Sequence, residues 1–263
     1  MLGAHSSIPS MTPIVPPCLV QRSLLLVASL MAMSLASPAA RAEPPVAQGV
    51  DLSIAPLSRV VGLPPRSDSE LARQDLAILL WLQGARTPEM AANTWTLLER
   101  NTGSFSRALG VDVVKTTPTI NAALKAFLKP VDTVKDTLKD RYQRPRPFVA
   151  DTRIQPCLPL EQGYSFPSGH ATWFRAASEL LADLVPERRL RLVEVGRHGG
   201  NSRVLCGVHY PSDVQAGQRL GVAAAAQLIA TPQWKAFKAD PAVIAEVEAI
   251  RNVPAAALPE LVR

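Results

Sequence analysis

The sequence predicts an all-α fold, organised as a single compact helical domain. Apolar residues recur at helical spacing through several stretches, each preceded by a helix-start signal. No stretch sustains the alternation of apolar and polar residues that is typical of a half-buried strand. Aromatic residues make up 5% of the 263 residues, whereas alanine, the strongest helix former, is abundant.

The first two predicted helices follow short polar signals. Ser67 and Glu70 have the spacing of a capping box, and a second helix is expected to follow Pro88. The apolar residues expected to line these helices are Leu71, Ile78, Leu79 and Leu82 in the first, and Met90, Trp95, Leu97 and Leu98 in the second.

Prolines divide the middle of the chain. Thr117 and Pro118 begin a third helix, Pro130 is expected to interrupt it, and Pro145 and Pro147 end the stretch. Helical spacing is kept on both sides of the interruption, at Ile120, Leu124, Phe127 and Leu128 and then at Val131, Val134, Leu138 and Tyr142. A loop of about twenty residues follows, and loops of that length are often functional.

Three more helices are predicted in the second half of the chain. Ser168 is expected to cap the first, and Ser212, with Gln215 at the capping-box position, to begin the second. Asp240 precedes the last. The inward face of the helix after Ser168 is expected to carry Trp173, Phe174, Ala177, Leu180, Leu181 and Leu184.

An apolar run near the N-terminus predicts a cleaved signal peptide. Arg22 precedes the run 23–33, which is short for a membrane span. Ala40 and Ala42 place small residues at the positions required for a cut before Glu43. An uncleaved membrane anchor is the alternative interpretation.

These features predict three segments and an exported product. We expect a cleaved signal peptide at 1–42, a proline-rich extended lead-in at 43–66 and a helical domain at 67–263. Met11 is an alternative translation start within the same scheme. The predicted location is periplasmic or secreted.

The cysteines suggest a disulfide. Removal of the signal peptide takes away Cys18 and leaves Cys157 and Cys206. Two cysteines in an exported protein are a candidate disulfide, and two unrelated buried thiols are the alternative.

The charge pattern limits the classes of partner. The formal net charge is +6, but no run of five or six Lys or Arg occurs, so a nucleic-acid-binding arm is poorly supported. A basic balance is compatible with steering of small anionic substrates, or with solubility alone. The most apolar later segment, 222–230, is short, so we expect no stable membrane insertion.

A candidate anion site lies at the start of the helix after Ser168. Ser168 is a good N-cap, Gly169 lets an anion approach the backbone, and the free N–H groups of a helix start attract negative charge. His170 lies in the first turn, where a neutral imidazole is favoured unless an anion is bound. A cap beside a structural histidine is the alternative.

A second candidate pair is His209 and Asp213, four residues apart at the predicted entry into a helix. A carboxylate there can hold one ring N–H of His209 and leave the other nitrogen free to attack. A capping Asp beside an ordinary loop histidine is the alternative. Arg203, with Ser202, belongs to the same segment.

Basic residues complete the pattern. Lys139, Arg144 and Arg146 precede the two histidine segments, and cations beside an N–H-rich helix start make a phosphate pocket. Nothing in the pattern separates Arg144 from Arg146. One histidine could attack phosphorus while the other, protonated, releases the alcohol. We find no ligand cluster at metal-binding spacing and no Walker or G-x-S-x-G motif.

Three patterns, read together, resemble the signature of the type 2 phosphatidic acid phosphatase superfamily. They are Lys-x6-Arg-Pro, Pro-Ser-Gly-His and Ser-Arg-x5-His-x3-Asp. Within it the chain resembles the bacterial class A non-specific acid phosphatases. The signature covers 139–213, and it implies the helical fold shared with haloperoxidases. The roles implied are phosphate binding by Lys139, Arg146, Ser168, Gly169 and Arg203, acid catalysis by His170, nucleophilic attack by His209, and orientation of His209 by Asp213.

The resemblance implies an exported, metal-independent acid phosphatase that acts on phosphate monoesters through a phosphohistidine, with no cofactor. The alternatives are a lipid or polyprenyl pyrophosphate phosphatase, a vanadate-dependent haloperoxidase, and an idle phosphate-binding module. The expected partners are small phosphorylated substrates, without nucleic acid, and self-association into a homo-oligomer is left open. Phe166 and Trp173 flank the Pro-Ser-Gly-His segment, and we expect them to border the site and bear on substrate preference.

Overall fold

The computed structural model describes residues 45–261, so the predicted signal peptide at 1–42 lies outside the described residues. Within that range the chain forms twelve α-helices and four 3-10 turns, with no strand, and the all-α prediction is confirmed. The α-helices are α1 (Ile54–Val61), α2 (Glu70–Ala85), α3 (Pro88–Trp95), α4 (Ser106–Leu109), α5 (Val113–Thr116), α6 (Pro118–Tyr142), α7 (Pro147–Ala150), α8 (Gly169–Leu184), α9 (Arg189–Leu205), α10 (Pro211–Ala230), α11 (Pro232–Lys238) and α12 (Pro241–Arg251).

Helix α8 lies at the centre of the fold, where it packs against α6, α9 and α10. A glycine permits its close approach to α10, because a Cβ on Gly217 would lie 2.5 Å from the carbonyl oxygen of Ser168. The backbone N–H of Ser168 donates to the carbonyl of Asp213 at 3.0 Å. The starts of α8 and α10, which carry most of the candidate site, are therefore held against each other.

The main hydrophobic core is continuous across the domain. It joins residues of α6, α8 and α10 to α11 and α12, and the Trp234 ring meets Phe127 edge-on at 5.0 Å. Phe166 and Trp173 are both buried in this core, and Phe166 packs edge-on against Tyr142. Because their rings are enclosed by other core residues, neither forms an open border to the site, contrary to our expectation.

The lead-in contains a helix, whereas an extended segment was expected. Leu57 and Val61, four residues apart in α1, are fully buried in the main core, and α1 packs on α10. Arg219 donates to the carbonyls of Val60 and Val61 at the end of α1. Burial of one apolar face and this C-terminal cap explain why the segment is helical.

Helix α2 begins two residues later than predicted. Ser69, and not Ser67, is the N-cap, and its Oγ accepts from the N–H of Ala72 at 3.2 Å. Leu79 is buried as expected, but Leu71 and Ile78 are exposed. Fewer apolar positions of α2 are therefore buried than predicted, because only part of the helix contacts the domain.

Helix α6 runs through Pro130 without a break, contrary to our prediction. The proline removes one backbone hydrogen bond, but Phe127, Val131 and Val134 remain buried on one face of the same helix. Burial of three such side chains outweighs a single missing bond. The hydroxyl of Thr117 donates to the carbonyl of Val113 and does not cap the helix.

Two features of the second half also differ from the prediction. Helix α9 was not predicted, because its buried face is made largely of small residues, among them Gly196, Gly199 and Gly200, which give no apolar stripe. Helix α10 begins at Pro211, so the predicted Ser212 and Gln215 box is wrong. No helix within residues 45–261 is both long and apolar enough to cross a bilayer.

Candidate active site

His209 lies in the connection between α9 and α10 and is fully buried. Gly207 turns the chain out of α9 with φ +68°, a conformation that favours glycine, and the N–H of Val208 donates to the carbonyl of Arg203 at 3.1 Å. This tight turn places His209 between α9, which carries Arg203, and the first turn of α10, which carries Asp213.

Asp213 and Ser165 hold one nitrogen of the His209 ring. The Nδ1 atom lies 3.4 Å from Oδ2 of Asp213 and 3.2 Å from Oγ of Ser165, which itself donates to the same carboxylate oxygen at 2.5 Å. Both partners can accept a hydrogen bond from Nδ1–H, so the ring proton lies on Nδ1 and Nε2 carries none. Asp213 sits at the third helical position, where Oδ2 also accepts from the N–H of Tyr210 at 2.8 Å.

The free nitrogen of His209 faces positive charge. Nε2 lies 3.2 Å from Nη1 of Arg146, whose guanidinium also donates to the carbonyls of Val208 and Gly163. Burial lowers the pKa of His209 to about 4, although the hydrogen bond that the ring donates to Asp213 acts in the opposite direction. The charges of Arg146 and Lys139 lower the pKa further. The imidazole is therefore neutral near pH 7 and has a lone pair to donate.

Arg144 and Arg146, which the sequence pattern did not separate, have different surroundings. Arg144 points away from Nε2 and donates to Oδ1 of Asp213 at 2.7 Å and to Oδ2 of Asp75 at 3.0 Å. Asp75, on α2, also accepts from the N–H of Ser212 at 3.0 Å. Arg144 thus anchors the carboxylate that orients His209. Its repeated Arg-Pro context was visible in the sequence, but Asp75 carried no signal.

Two further cations adjoin the site. Lys139 donates to the carbonyl of Tyr164, and burial, followed by the charge of Arg146, lowers the pKa of Lys139 to about 7. Arg203 is fully buried, and burial lowers its pKa to about 10. Its Nη2 donates to the carbonyl of Leu97 at 2.8 Å, while its buried Nη1 has no protein partner. A buried charged donor without a partner is costly, which indicates an anion-binding role.

The second histidine is oriented by the backbone after α3. Nε2 of His170 donates to the carbonyl of Leu98 at 2.8 Å, so Nδ1 is the nitrogen that faces the site. Burial, followed by the charge of Arg203, lowers the pKa of His170 well below its ordinary value.

Ser168 caps α8 as predicted, with Oγ accepting from the N–H of Ala171 at 3.4 Å, and Gly169 packs against the side chain of Lys135.

Glu161, in the long loop between α7 and α8, was missed by the sequence analysis. Its Oε2 accepts from Nη2 of Arg146 at 2.7 Å and lies 4.0 Å from Nε2 of His209, while Oε1 lies 3.7 Å from Nδ1 of His170. Burial would raise the pKa of Glu161, but the surrounding cationic groups outweigh it and the pKa is lowered. A lone acid in a polar loop gives no sequence signal of such a position.

Cys157 and Cys206 form the predicted disulfide, with their Cα atoms 4.7 Å apart. Cys206 ends α9, three residues after Arg203, and Cys157 lies in the loop that carries Glu161. The carbonyl of Cys157 also accepts from the indole of Trp95 at 2.9 Å. The bridge therefore ties the loop to the end of α9.

Replacing both cysteines by serine is expected to lower the free energy of unfolding by about 2–5 kcal/mol, because the bridge closes a long loop in the unfolded chain. Urea denaturation of the double variant and wild type measures the difference. Two freely alkylated thiols in the oxidised, natively purified protein would contradict the pairing.

Among residues 45–261, no group of three or more His, Cys, Asp or Glu side chains has an arrangement that could hold a metal ion. The positive charges beside His209 belong to the side chains of Arg146 and Lys139, and the charge of Arg203 acts on His170 and Glu161.

The part of the chain that carries this site is similar to a known family. Residues 121–237 match the PAP2 superfamily, and this range contains every predicted phosphate-binding and catalytic residue. The chain is 31% identical over 138 residues to a non-specific acid phosphatase of Providencia stuartii, covering 50% of this chain and 56% of that protein. It is 36% identical over 102 residues to a non-specific acid phosphatase of Salmonella typhimurium, covering 37% and 40% of the two chains.

A shorter match is to a lipid A 1-phosphatase of Rhizobium etli, at 44% identity over 57 residues, which cover 22% of this chain and 25% of that protein. The matched part of this chain thus spans about half or less of the length of these curated relatives. The matched family range contains the complete three-part signature, and the structure of that range is helical throughout its regular elements. Residues 121–237 are therefore similar to the PAP2 superfamily over a match that spans less than half of the chain.

Proposed function

We propose that this protein is an exported acid phosphatase that hydrolyses phosphate monoesters to an alcohol and inorganic phosphate through a phosphohistidine on His209. The relatives named non-specific acid phosphatase support the activity. The observation that carries the mechanism is the orientation of His209, with Nδ1 against Asp213 and Nε2 directed at Arg146. Export rests on the sequence of 1–42.

The phosphoryl group would bind among the buried cations. The unpartnered Nη1 of Arg203 offers one donor, and Arg146 and Lys139 offer others. The first N–H groups of a helix have no partner within the helix, so those at the start of α8 add further donors. Together these groups would stabilise the charge that develops on the equatorial oxygens during transfer.

In the first step, Nε2 of His209 attacks phosphorus, the bond from phosphorus to the ester oxygen breaks, and Nδ1 of His170 protonates the leaving alcohol. Binding of the anion raises the pKa of His170 and so supplies its protonated form. Asp213 and Ser165 stabilise the proton on Nδ1 of His209 as the ring becomes positively charged.

In the second step, water attacks the phosphohistidine. His170, now neutral, takes a proton from that water, the bond between nitrogen and phosphorus breaks, and inorganic phosphate leaves. His209 returns to its neutral form with Nε2 free. The same two histidines thus serve both halves of the reaction.

Hydrolysis of p-nitrophenyl phosphate is expected to proceed undiminished in excess EDTA, because Arg146, Lys139 and Arg203 supply the positive charge in the proposed mechanism. Vanadate should inhibit strongly, since it adopts the five-coordinate geometry of the transition state. Loss of activity with the chelator and its recovery with Mg²⁺ or Zn²⁺ would count against the mechanism.

We expect a bell-shaped pH dependence of kcat/KM with limbs near pH 4 and pH 7. Activity falls below about pH 4 because protonation of His209 removes the attacking lone pair, and above about pH 7 because Lys139 loses its charge. In Lys139→Arg the alkaline limb should move to higher pH, since arginine stays protonated. The substrate's own ionisation is common to both proteins, so an unmoved limb would contradict the assignment to Lys139.

A lipid phosphatase is a second candidate, favoured by the similarity to the lipid A 1-phosphatase. Comparing kcat/KM for a soluble alkyl phosphate with that for a lipid phosphate in detergent micelles separates the two. A preference for the lipid of more than about a hundredfold would replace the first proposal by the second.

A further inference from the structure

Glu161 occupies the centre of the cationic site from a loop that is not part of the family signature. Its carboxylate contacts Arg146 directly and lies within 4.0 Å of the facing nitrogens of both catalytic histidines. Asp213, by contrast, lies at Nδ1, the opposite nitrogen of the His209 ring, and holds that ring in place. No step of the mechanism above uses Glu161.

The position of this carboxylate is the one that a phosphoryl oxygen needs. A phosphate bound for attack must lie close to Nε2 of His209, within reach of the acid on Nδ1 of His170, and against the guanidinium of Arg146. Arginine pairs with carboxylate and phosphate oxygens through the same N–H groups. Glu161 thus occupies an N–H of Nη2 of Arg146 through an oxygen that lies 4.0 Å from Nε2 of His209, where a phosphoryl oxygen would accept.

Backbone carbonyls next to Glu161 also accept hydrogen bonds from the cations of the site. The carbonyl of Gly163 accepts from Nε of Arg146, and the carbonyl of Tyr164 accepts from Lys139. The segment 161–164 thus supplies acceptors to two of the three cations. Glu161 is 30% exposed on its side chain, and a Cβ on Gly163, which has φ +81°, would meet no atom within 4 Å. The segment 161–164 therefore borders solvent.

We propose that Glu161 is a tethered competitor of phosphate: its carboxylate neutralises the cations of the empty site and must be displaced by the substrate or product. This inference rests on the proposed phosphate site and adds a residue that sets its affinity. A displaced carboxylate can return as the product leaves, so Glu161 would weaken the retention of inorganic phosphate and limit product inhibition.

The test measures the dissociation constant for inorganic phosphate by titration calorimetry on the full exported chain. Glu161→Gln removes the charge and keeps the size of the side chain, and Glu161→Ala removes the hydrogen-bond acceptor as well. Asp151→Asn is the control, because it removes one negative charge from the same loop at a residue whose carboxylate pairs with Arg153 and with none of the site's cations.

Both Glu161 variants are expected to bind phosphate about tenfold or more tightly than wild type, as loss of a competing charge-assisted hydrogen bond implies. Asp151→Asn should bind within about twofold of wild type, the difference expected from a screened charge. With p-nitrophenyl phosphate, the Glu161 variants should show a matching fall in KM and in the inhibition constant for phosphate.

If both Glu161 variants bind phosphate no more tightly than wild type, Glu161 is not a competitor. If Asp151→Asn gains as much phosphate affinity as the Glu161 variants, the gain comes from the loss of any nearby negative charge, and the competitor role is likewise overturned. Turnover by wild type tests the phosphatase proposal separately. If the Glu161 variants bind phosphate more tightly but no protein hydrolyses the ester, the phosphatase proposal fails while the competitor role stands. If none binds phosphate, both are wrong.

Discussion

Replacing His209 by alanine is expected to lower the turnover of p-nitrophenyl phosphate by about four orders of magnitude or more, the scale seen when a nucleophile or its base is removed from a catalytic unit. Without Nε2 no covalent intermediate can form. The measurement is kcat together with rapid quenching of labelled substrate into base, in which a phosphohistidine survives. Wild type should trap label on His209.

His198 provides the matched control for that substitution. It lies on α9, five residues before Arg203, whose charge it senses, and it takes no part in the proposed binding or transfer steps, so His198→Ala should keep kcat within a few-fold of wild type. His170→Ala should trap label and should harm alkyl esters more than an aryl ester with an acidic phenol, because a poor leaving group needs its proton most. Substantial turnover by His209→Ala, with none by His170→Ala, would reverse the two assignments.

Asp213→Asn is expected to lower kcat by about three to four orders of magnitude while the protein remains folded. An asparagine amide can donate to Nδ1 of His209, which would favour the tautomer with the proton on Nε2 and remove the attacking lone pair. The corresponding change in a serine protease triad has an effect of about 10⁴ for the same reason. The kcat of the purified variant and its circular dichroism spectrum check the two parts of the expectation.

Asp75→Asn is the control for loss of charge from the same ion-pair network. Asp75 contacts Arg144 and Ser212 but not His209, so this variant should lose stability and change kcat by less than about tenfold. Equal losses of kcat in the two variants would show that Asp213 acts through general packing and not through the tautomer of His209.

Several features of this protein follow from short-range physics and were read from the sequence. Ser168 caps α8 because its hydroxyl satisfies a free N–H of the first turn, and the spacing of apolar residues in α6 and α8 records which face is buried. The pairing of His209 with Asp213 across a helix start is local for the same reason. These interactions join residues that are about four positions apart or fewer, so the order of residue types along the sequence is enough to predict them.

Other features depend on residues far apart in the chain and were decided by tertiary packing. Arg144 meets Asp75 and Asp213, each 69 residues away, whereas Arg146, two positions later, faces His209. The local sequence around Pro145 and Pro147 does not show which of the two arginine side chains will contact which partner. Burial of α1 and the continuity of α6 across Pro130 were decided in the same way, by a core that outweighs a local preference.

Glu161 shows the difference most clearly. Its position in a polar loop is the same in sequence whether its carboxylate faces solvent or the active site, and periodicity says nothing about a loop. The disulfide at Cys157, the carbonyls of Gly163 and Tyr164, and the charge of Arg146 together bring it inward. Because electrostatic attraction acts through space and not along the chain, only the folded arrangement could place this acid among the cations.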